Sequence, residues 1–181
     1  GMNNDRGNGM NYRVFFALIF MLPFCVQAQQ WQVPEPQEFD TTQVCLGDLS
    51  QPLTVELADT QEQHARGLMQ RESLGKYNGM WFRYGQERPG YSGFWMYQTL
   101  IPLDIAYLDK NRRIVKTFTM RPCGSNDPNN CRSYSPGKRY WSVLEVNAGF
   151  FAEHDIRTGD QLNKSPDGNC ESAKENNNNE K

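Results

Sequence analysis

GFWMYQTLIPLDIAYLDKNRRIVKTF, residues 93–118, is the stretch that decides the fold. Leu103–Leu108 is an apolar run of strand length, preceded by Pro102. Arg113–Phe118 is a second strand candidate. Asp109-Lys-Asn-Arg112 between them is turn chemistry, so the two runs read as a hairpin. Side chains of a strand alternate between faces. Asp104 therefore shares a face with Ala106 and Leu108, while Leu103, Ile105 and Tyr107 line the other. One carboxylate stands on an apolar strand face.

Working outward, Leu53-Thr-Val-Glu-Leu57 alternates apolar and polar, as a half-buried strand does. A helix is expected to follow it. Thr60 is a suitable N-cap, Gln63 completes a capping box, and Glu62 favours the positive end of the helix dipole. The helix should end by Gly67–Met69. Met80–Tyr84, Gly93–Tyr97 and Tyr140–Val146 are further strand candidates, and Ala148–His154 is a second short helix. Gly159-Asp160 turns the chain into a last short strand. The expected fold is mostly β: a compact β-sandwich or distorted barrel with two short helices.

The chain opens with Arg13 and an apolar run, Val14 to Val26, interrupted by Pro23. Val26-Gln-Ala28 places small residues where a signal peptidase needs them. Residues 1–28 are read as a cleavable secretory leader, because the run falls short of the roughly 20 apolar residues of a membrane helix. An uncleaved anchor is the rival reading. A lipoprotein reading at Cys25 is weakened by Phe24 before it. Residues 29–52 form a polar, proline-containing arm, 53–162 the domain, and 163–181 a polar tail too poor in apolar residues to order itself.

Cutting after Ala28 leaves Cys45, Cys123, Cys131 and Cys170, an even set that suits an oxidising compartment. Cys123 and Cys131 flank the turn-rich Gly-Ser-Asn-Asp-Pro-Asn-Asn loop and should staple it. Cys45 and Cys170 would then tie arm to tail. A zinc site is disfavoured by the missing CxxC spacing and local histidine.

The full chain of 181 residues has a net charge of −2, with 19 Lys+Arg against 21 Asp+Glu. It has no basic cluster, which argues against nucleic acid as a partner. Nothing after the leader is long and apolar enough to span a membrane as a helix. No GxSxG, GxGxxG or Walker-type loop occurs, and neither histidine has a recognisable nucleophile near it in sequence.

A set of short motifs carries a resemblance. They are Arg66-Gly-Leu-Met69, Arg71-Glu-Ser-Leu74, Gly79-Met80, Phe94-Trp-Met96, Thr99-Leu-Ile-Pro-Leu-Asp104, the Pro122-Cys123…Cys131…Tyr134 loop, Leu144-Glu145, Ala148-Gly149 and Gly159-Asp160. In this order, over residues 54–162, the chain resembles the family called domain of unknown function 192. The resemblance implies a small, mostly β fold and frequent export. It supplies no accepted reaction. Trp81 departs from the aliphatic residue more usual after the Gly-Met pair.

Asp104 is the first candidate for chemistry. A carboxylate between apolar surfaces needs a charged or hydrogen-bonding partner, or its pKa rises. Arg66 and Arg71 are the expected cations, and a buried Asp–Arg clip holding helix to sheet is the plainer reading of the same residues. Glu145 lies on the face of Trp141 and Val143 and is the candidate second carboxylate. Met69, Met80, Met96 and Met120 could suggest Cu(I), but methionine is also a common core filler, and no MxxM cluster occurs. Aromatics are dense from Tyr77 to Tyr97; Trp81 must face away from Phe82, and Phe94 away from Trp95. The expectation is an exported β domain that binds a small molecule, a sugar or a peptide in a pocket of Arg66, Arg71, Trp95, Asp104 and Tyr134, without cofactor or metal. The alternative is a carbohydrate-active enzyme of the cell envelope, with Asp104 and Glu145 as acid and base.

Overall fold

The structure is a computed structural model that describes residues 31–172. The leader and the end of the polar tail lie outside the described residues. Seven strands form one curled sheet: β1 (Asp40–Leu46), β2 (Leu53–Ala58), β3 (Asn78–Arg88), β4 (Leu103–Leu108), β5 (Ile114–Met120), β6 (Tyr140–Asn147) and β7 (Leu162–Lys164). Their order is β5-β4-β6-β3-β2-β1-β7. The architecture is a half-barrel rather than a sandwich, so of the two expected arrangements the distorted barrel is the one found. The two outermost strands meet at one corner. Arg113 bridges Gln161, and the Ile114 amide donates to the Asp160 carbonyl at 2.9 Å.

The hairpin that decides the fold is β4–β5, paired from Leu103↔Met120 to Leu108↔Ile114. The Asp109 carboxylate organises its turn by accepting from the Asn111 and Arg113 amides at 2.8 and 2.9 Å. Helices α1 (Gln61–Arg66) and α2 (Phe150–Glu153) flank the sheet, with a 3₁₀ turn at Pro128–Asn130. The α1 start has the capping box: the Gln63 amide donates to Thr60 Oγ1 at 3.1 Å, and Gln63 Oε1 accepts from the Thr60 amide. β2 and β3 are parallel, so the chain must cross over between them. α1 and the loop after it make that crossing.

Both faces of the sheet are covered. One face draws on all seven strands, including Val44, Val55, Trp81, Ala106, Ile114, Val146 and Leu162, and is closed by Phe150, Phe151 and Ile156. It is the inside of the curl. The other face carries Met80, Phe82, Ile105, Tyr107, Tyr140 and Val143, covered by Leu68, Met96 and Tyr134. Trp81 and Phe82 divide between the faces as period two requires. Met80, Met96 and Met120 are buried among hydrophobic side chains.

Three details differ from the sequence reading. The polar arm contains β1, which runs between β2 and β7. Its signal is weak because only its second half, Val44-Cys-Leu46, is buried. β3 continues past Tyr84 to Arg88, with a register irregularity between Arg83 and Arg88 and Gly85 at φ +67°. Such an irregularity bends a strand and re-aims its side chains. Gly93–Tyr97 is a loop that touches a strand partner only where Phe94 bridges Tyr134.

Cys45 is bonded to Cys170, and Cys123 to Cys131, across sequence separations of 125 and 8. In the loop-entropy picture the long bridge contributes about 5 kcal/mol and the short one about 2–3 kcal/mol. Among the described residues no helix is long and apolar enough to cross a membrane.

Candidate functional site

A cleft of about 520 Å³ opens on the Phe82–Tyr107 face. One wall is α1 and the residues after it, including His64, Arg66 and Leu68. A second is the end of β3, with Phe82, Tyr84 and Arg88. A third is the Gly93–Thr99 loop, with Phe94 and Trp95. Glu145 lines it from β6.

Each wall has a local cause. Gly79 of the Asn-Gly-Met segment lets β3 lie against β6 beside Glu145, because a Cβ there would sit 2.5 Å from the Glu145 carbonyl oxygen. No other residue permits that approach. The aromatic loop is pinned from behind. The Phe94 amide donates to Tyr107 Oη at 3.1 Å, and Tyr107 Oη donates to the Tyr134 carbonyl. Burial holds the Tyr107 phenol neutral by pushing its pKa up, and only the neutral hydroxyl can make the second bond. The Cys123 amide donates to the Met96 carbonyl at 3.4 Å, so the disulfide loop hangs on the same segment. Trp95 remains 41% exposed at the rim, its ring 5.4 Å from that of Tyr97.

Glu145 is 4% exposed. Its cross-strand neighbours are Met80 and Ile105, both apolar. Among the described residues its carboxylate makes no hydrogen bond or ion pair, and burial pushes its pKa up to about 8. The upward shift favours the protonated acid, which can both donate and accept. His64 Nε2 lies 2.8 and 3.1 Å from the carbonyls of Ala58 and Arg83. Two carbonyls accept only if that nitrogen carries the proton, which leaves Nδ1 as an acceptor in the neutral ring.

The two arginines of the cleft are each held by neutral oxygens. Arg66 Nη1 donates to the Pro34 carbonyl at 2.6 Å. Arg88 Nη2 donates to Ser92 Oγ at 2.9 Å, and its guanidinium lies 4.7 Å from the centre of the Tyr84 ring. Arg88 Nε is buried without a partner. Neither arginine has a carboxylate partner among the described residues.

The structure brings Arg66, Trp95 and Glu145 to one cleft, and places Arg71, Asp104 and Tyr134 outside its lining. Asp104 is 2% exposed, on the inner face of the curl. In the β4–β6 register Asp104 stands opposite Val146, and Ile105 opposite Glu145, so the two carboxylates point to opposite faces. Neither arginine reaches Asp104. Thr119 Oγ1 donates to Asp104 Oδ1 at 2.7 Å, and the Phe151 amide donates to Oδ2 at 3.0 Å. Gly149, the N-cap of α2, has no side chain to cap with, and Asp104 supplies the missing acceptor. Arg71 pairs with Glu56 at 2.8 Å instead. Tyr134 supports Phe94, with its own hydroxyl accepting from the Arg121 amide at 3.4 Å. Sequence reasoning missed Tyr84 and Arg88 as lining residues: Tyr84 is the last residue of the expected Met80–Tyr84 strand, and Arg88 lies beyond that end, where β3 continues. Among the described residues no group of histidine, cysteine and carboxylate side chains is placed to hold a metal.

No curated protein matches the chain. A crystal structure of a "putative transcription regulator" from Sinorhizobium meliloti 1021 is similar, with 28% identity and a TM-score of 0.63, over 72% of this chain and 98% of that one. A crystal structure of a protein of unknown function from Novosphingobium aromaticivorans DSM 12444 shares 31% identity over 67% of this chain and 84% of that one, with a TM-score of 0.55. The family model described as Uncharacterized ACR, COG1430 matches residues 42–164, which takes in most of β1 and all of β2 through β7. The chain belongs to this family, the domain of unknown function 192.

Proposed function

We propose that this is an exported β domain that binds a small or extended ligand, a sugar or a peptide, in the cleft above Glu145. The observation that carries the reading is that Arg66, Trp95 and a buried carboxyl group without a partner among the described residues line one cavity. Buried polar groups are ordinarily hydrogen-bonded, and one left open toward a cleft is available to bond to what the cleft takes up. Trp95 and Phe94 offer flat apolar surface to a sugar ring or a peptide side chain. The two disulfides suit an oxidising compartment, as would the secretory leader expected from residues 1–28. The word "regulator" attached to one relative does not extend here to DNA: α1 has six residues, and the chain has no excess of basic residues. Thermal melts at neutral pH against mono- and oligosaccharides and short peptides test the reading. A binding class should raise the Tm of the wild type and do so less for Trp95→Ala. If no probe moves either protein, or both move equally, the reading fails.

One observation favours a second reading. A glutamic acid held neutral at pH 7 beside a cleft suits a general acid in glycoside cleavage. It would work without Asp104, which faces the other side of the sheet. Loss of hydrolysis of an envelope glycan in Glu145→Gln, with binding retained, would support it; unchanged turnover would remove it.

A further inference from the structure

We infer that the ligand of this cleft carries a carboxylate, which Arg66 and Arg88 receive while the rest of the ligand lies on the Phe94–Trp95 wall. The inference rests on the cleft being a binding site, and it adds the chemistry of the ligand.

Charge balance is the first argument. Partly buried cations in proteins normally face an acid. Elsewhere among the half-buried arginines Arg71 meets Glu56 and Arg83 meets Asp59, while Arg112, outside this cavity, donates to the Leu162 carbonyl. Arg66 and Arg88 line one cavity, and neither has an ion pair among the described residues. The acid that shares the cavity, Glu145, makes no ion pair with either arginine among the described residues, and burial favours its protonated form. Among the described residues the cavity therefore has positive charge and no paired anion.

Donor geometry is the second argument. Arg66 and Arg88 each give one guanidinium N–H to a neutral oxygen, Pro34 O or Ser92 Oγ, which fixes the head group without neutralising it. Stacking of Arg88 on Tyr84 fixes its plane as well. A guanidinium has five donors, and the remainder suit a planar carboxylate. The protonated Glu145 adds a donor of the same kind. Phosphate fits less well, because the cleft presents no glycine-rich nest of backbone amides and α1 contributes its last turn as much as its first.

Calorimetric titration of the wild type at pH 6.5 tests this with two matched pairs of probes: D-glucuronate against D-glucose, and N-acetyl-alanyl-phenylalanine against its C-terminal amide. At least one acid should bind about tenfold or more tighter than its neutral counterpart. Which pair does so tells a sugar acid from a peptide terminus. Arg88→Gln should shrink the preference to about twofold or less. Arg66→Gln serves as the second variant, with a melt to show that each variant folds. If the neutral members bind as tightly as the acids, the carboxylate inference fails while the binding cleft stands. Inorganic phosphate displacing the acid at lower concentration than the acid itself also overturns the inference. If none of the four probes binds, both the inference and the cleft reading are overturned for sugars and peptides.

Discussion

Two carboxyl groups lie on adjacent strands of one sheet, both nearly inaccessible, and they do opposite things. Asp104 on β4 is 2% exposed and Glu145 on β6 is 4% exposed. Asp104 points into the curl, where Thr119 Oγ1 and the Phe151 amide fill both its oxygens. Glu145 points out of the curl toward a cleft and has no protein partner among the described residues. Burial alone therefore says little about role. A buried acid that the fold has satisfied is part of the scaffold; one left open toward a cavity is a candidate for function.

The contrast is sharpest in how stability depends on pH. Burial raises the folded-state pKa of Glu145 above its unfolded value. Below the ordinary carboxylate range both states hold the proton, and the group has no effect. As pH rises toward 8 the unfolded chain releases its proton before the folded one, so unfolding becomes easier. Relative to Glu145→Gln, the wild type should lose on the order of 4 kcal/mol across that window and no more above it. Chemical denaturation of both proteins at pH 4 and pH 8.5 measures the gap. A gap that does not change with pH would mean that Glu145 ionises normally.

Asp104→Ala should cost about 3 kcal/mol at neutral pH, because it strands the Phe151 amide and the Thr119 hydroxyl and removes the α2 cap. Asp104→Asn keeps one acceptor and should cost about 1–2 kcal/mol. Urea titrations check both, and a neutral Asp104→Ala would break the scaffold reading. The smallest effect belongs to Arg71, one of the two arginines expected at Asp104. Arg71 pairs with Glu56 near the surface, with side-chain exposures of 36% and 23%, so Arg71→Gln should cost under about 1 kcal/mol. A loss as large as that of Asp104→Ala would mean that the ion pair carries more than its exposure allows.

Much of this contrast was legible before the fold was known. Period two alone put Asp104 with Ala106 and Leu108, and Glu145 with Val143, and both faces are as expected. The Thr60–Gln63 capping box and the β4–β5 hairpin were also readable, because they depend on residues a few positions apart. Partners across the molecule were not. Arg66 and Arg71 have the charge to meet Asp104, but charge does not reveal which acceptor a long side chain reaches. Pro34 O and Glu56 hold them. That the two carboxylates diverge depends on the β4–β6 register, a pairing of segments far apart in the chain. β1 was hidden because its exposed half reads as a polar arm.

The comparison turns on whether Glu145 is truly held neutral. A carbon-13 NMR titration of its side-chain carboxyl, assigned by the signal that disappears in Glu145→Gln, measures this directly. The account predicts a midpoint of about 8. A Glu145 midpoint in the ordinary carboxylate range would contradict it, because the acid above the cleft would then be charged at neutral pH like any exposed glutamate.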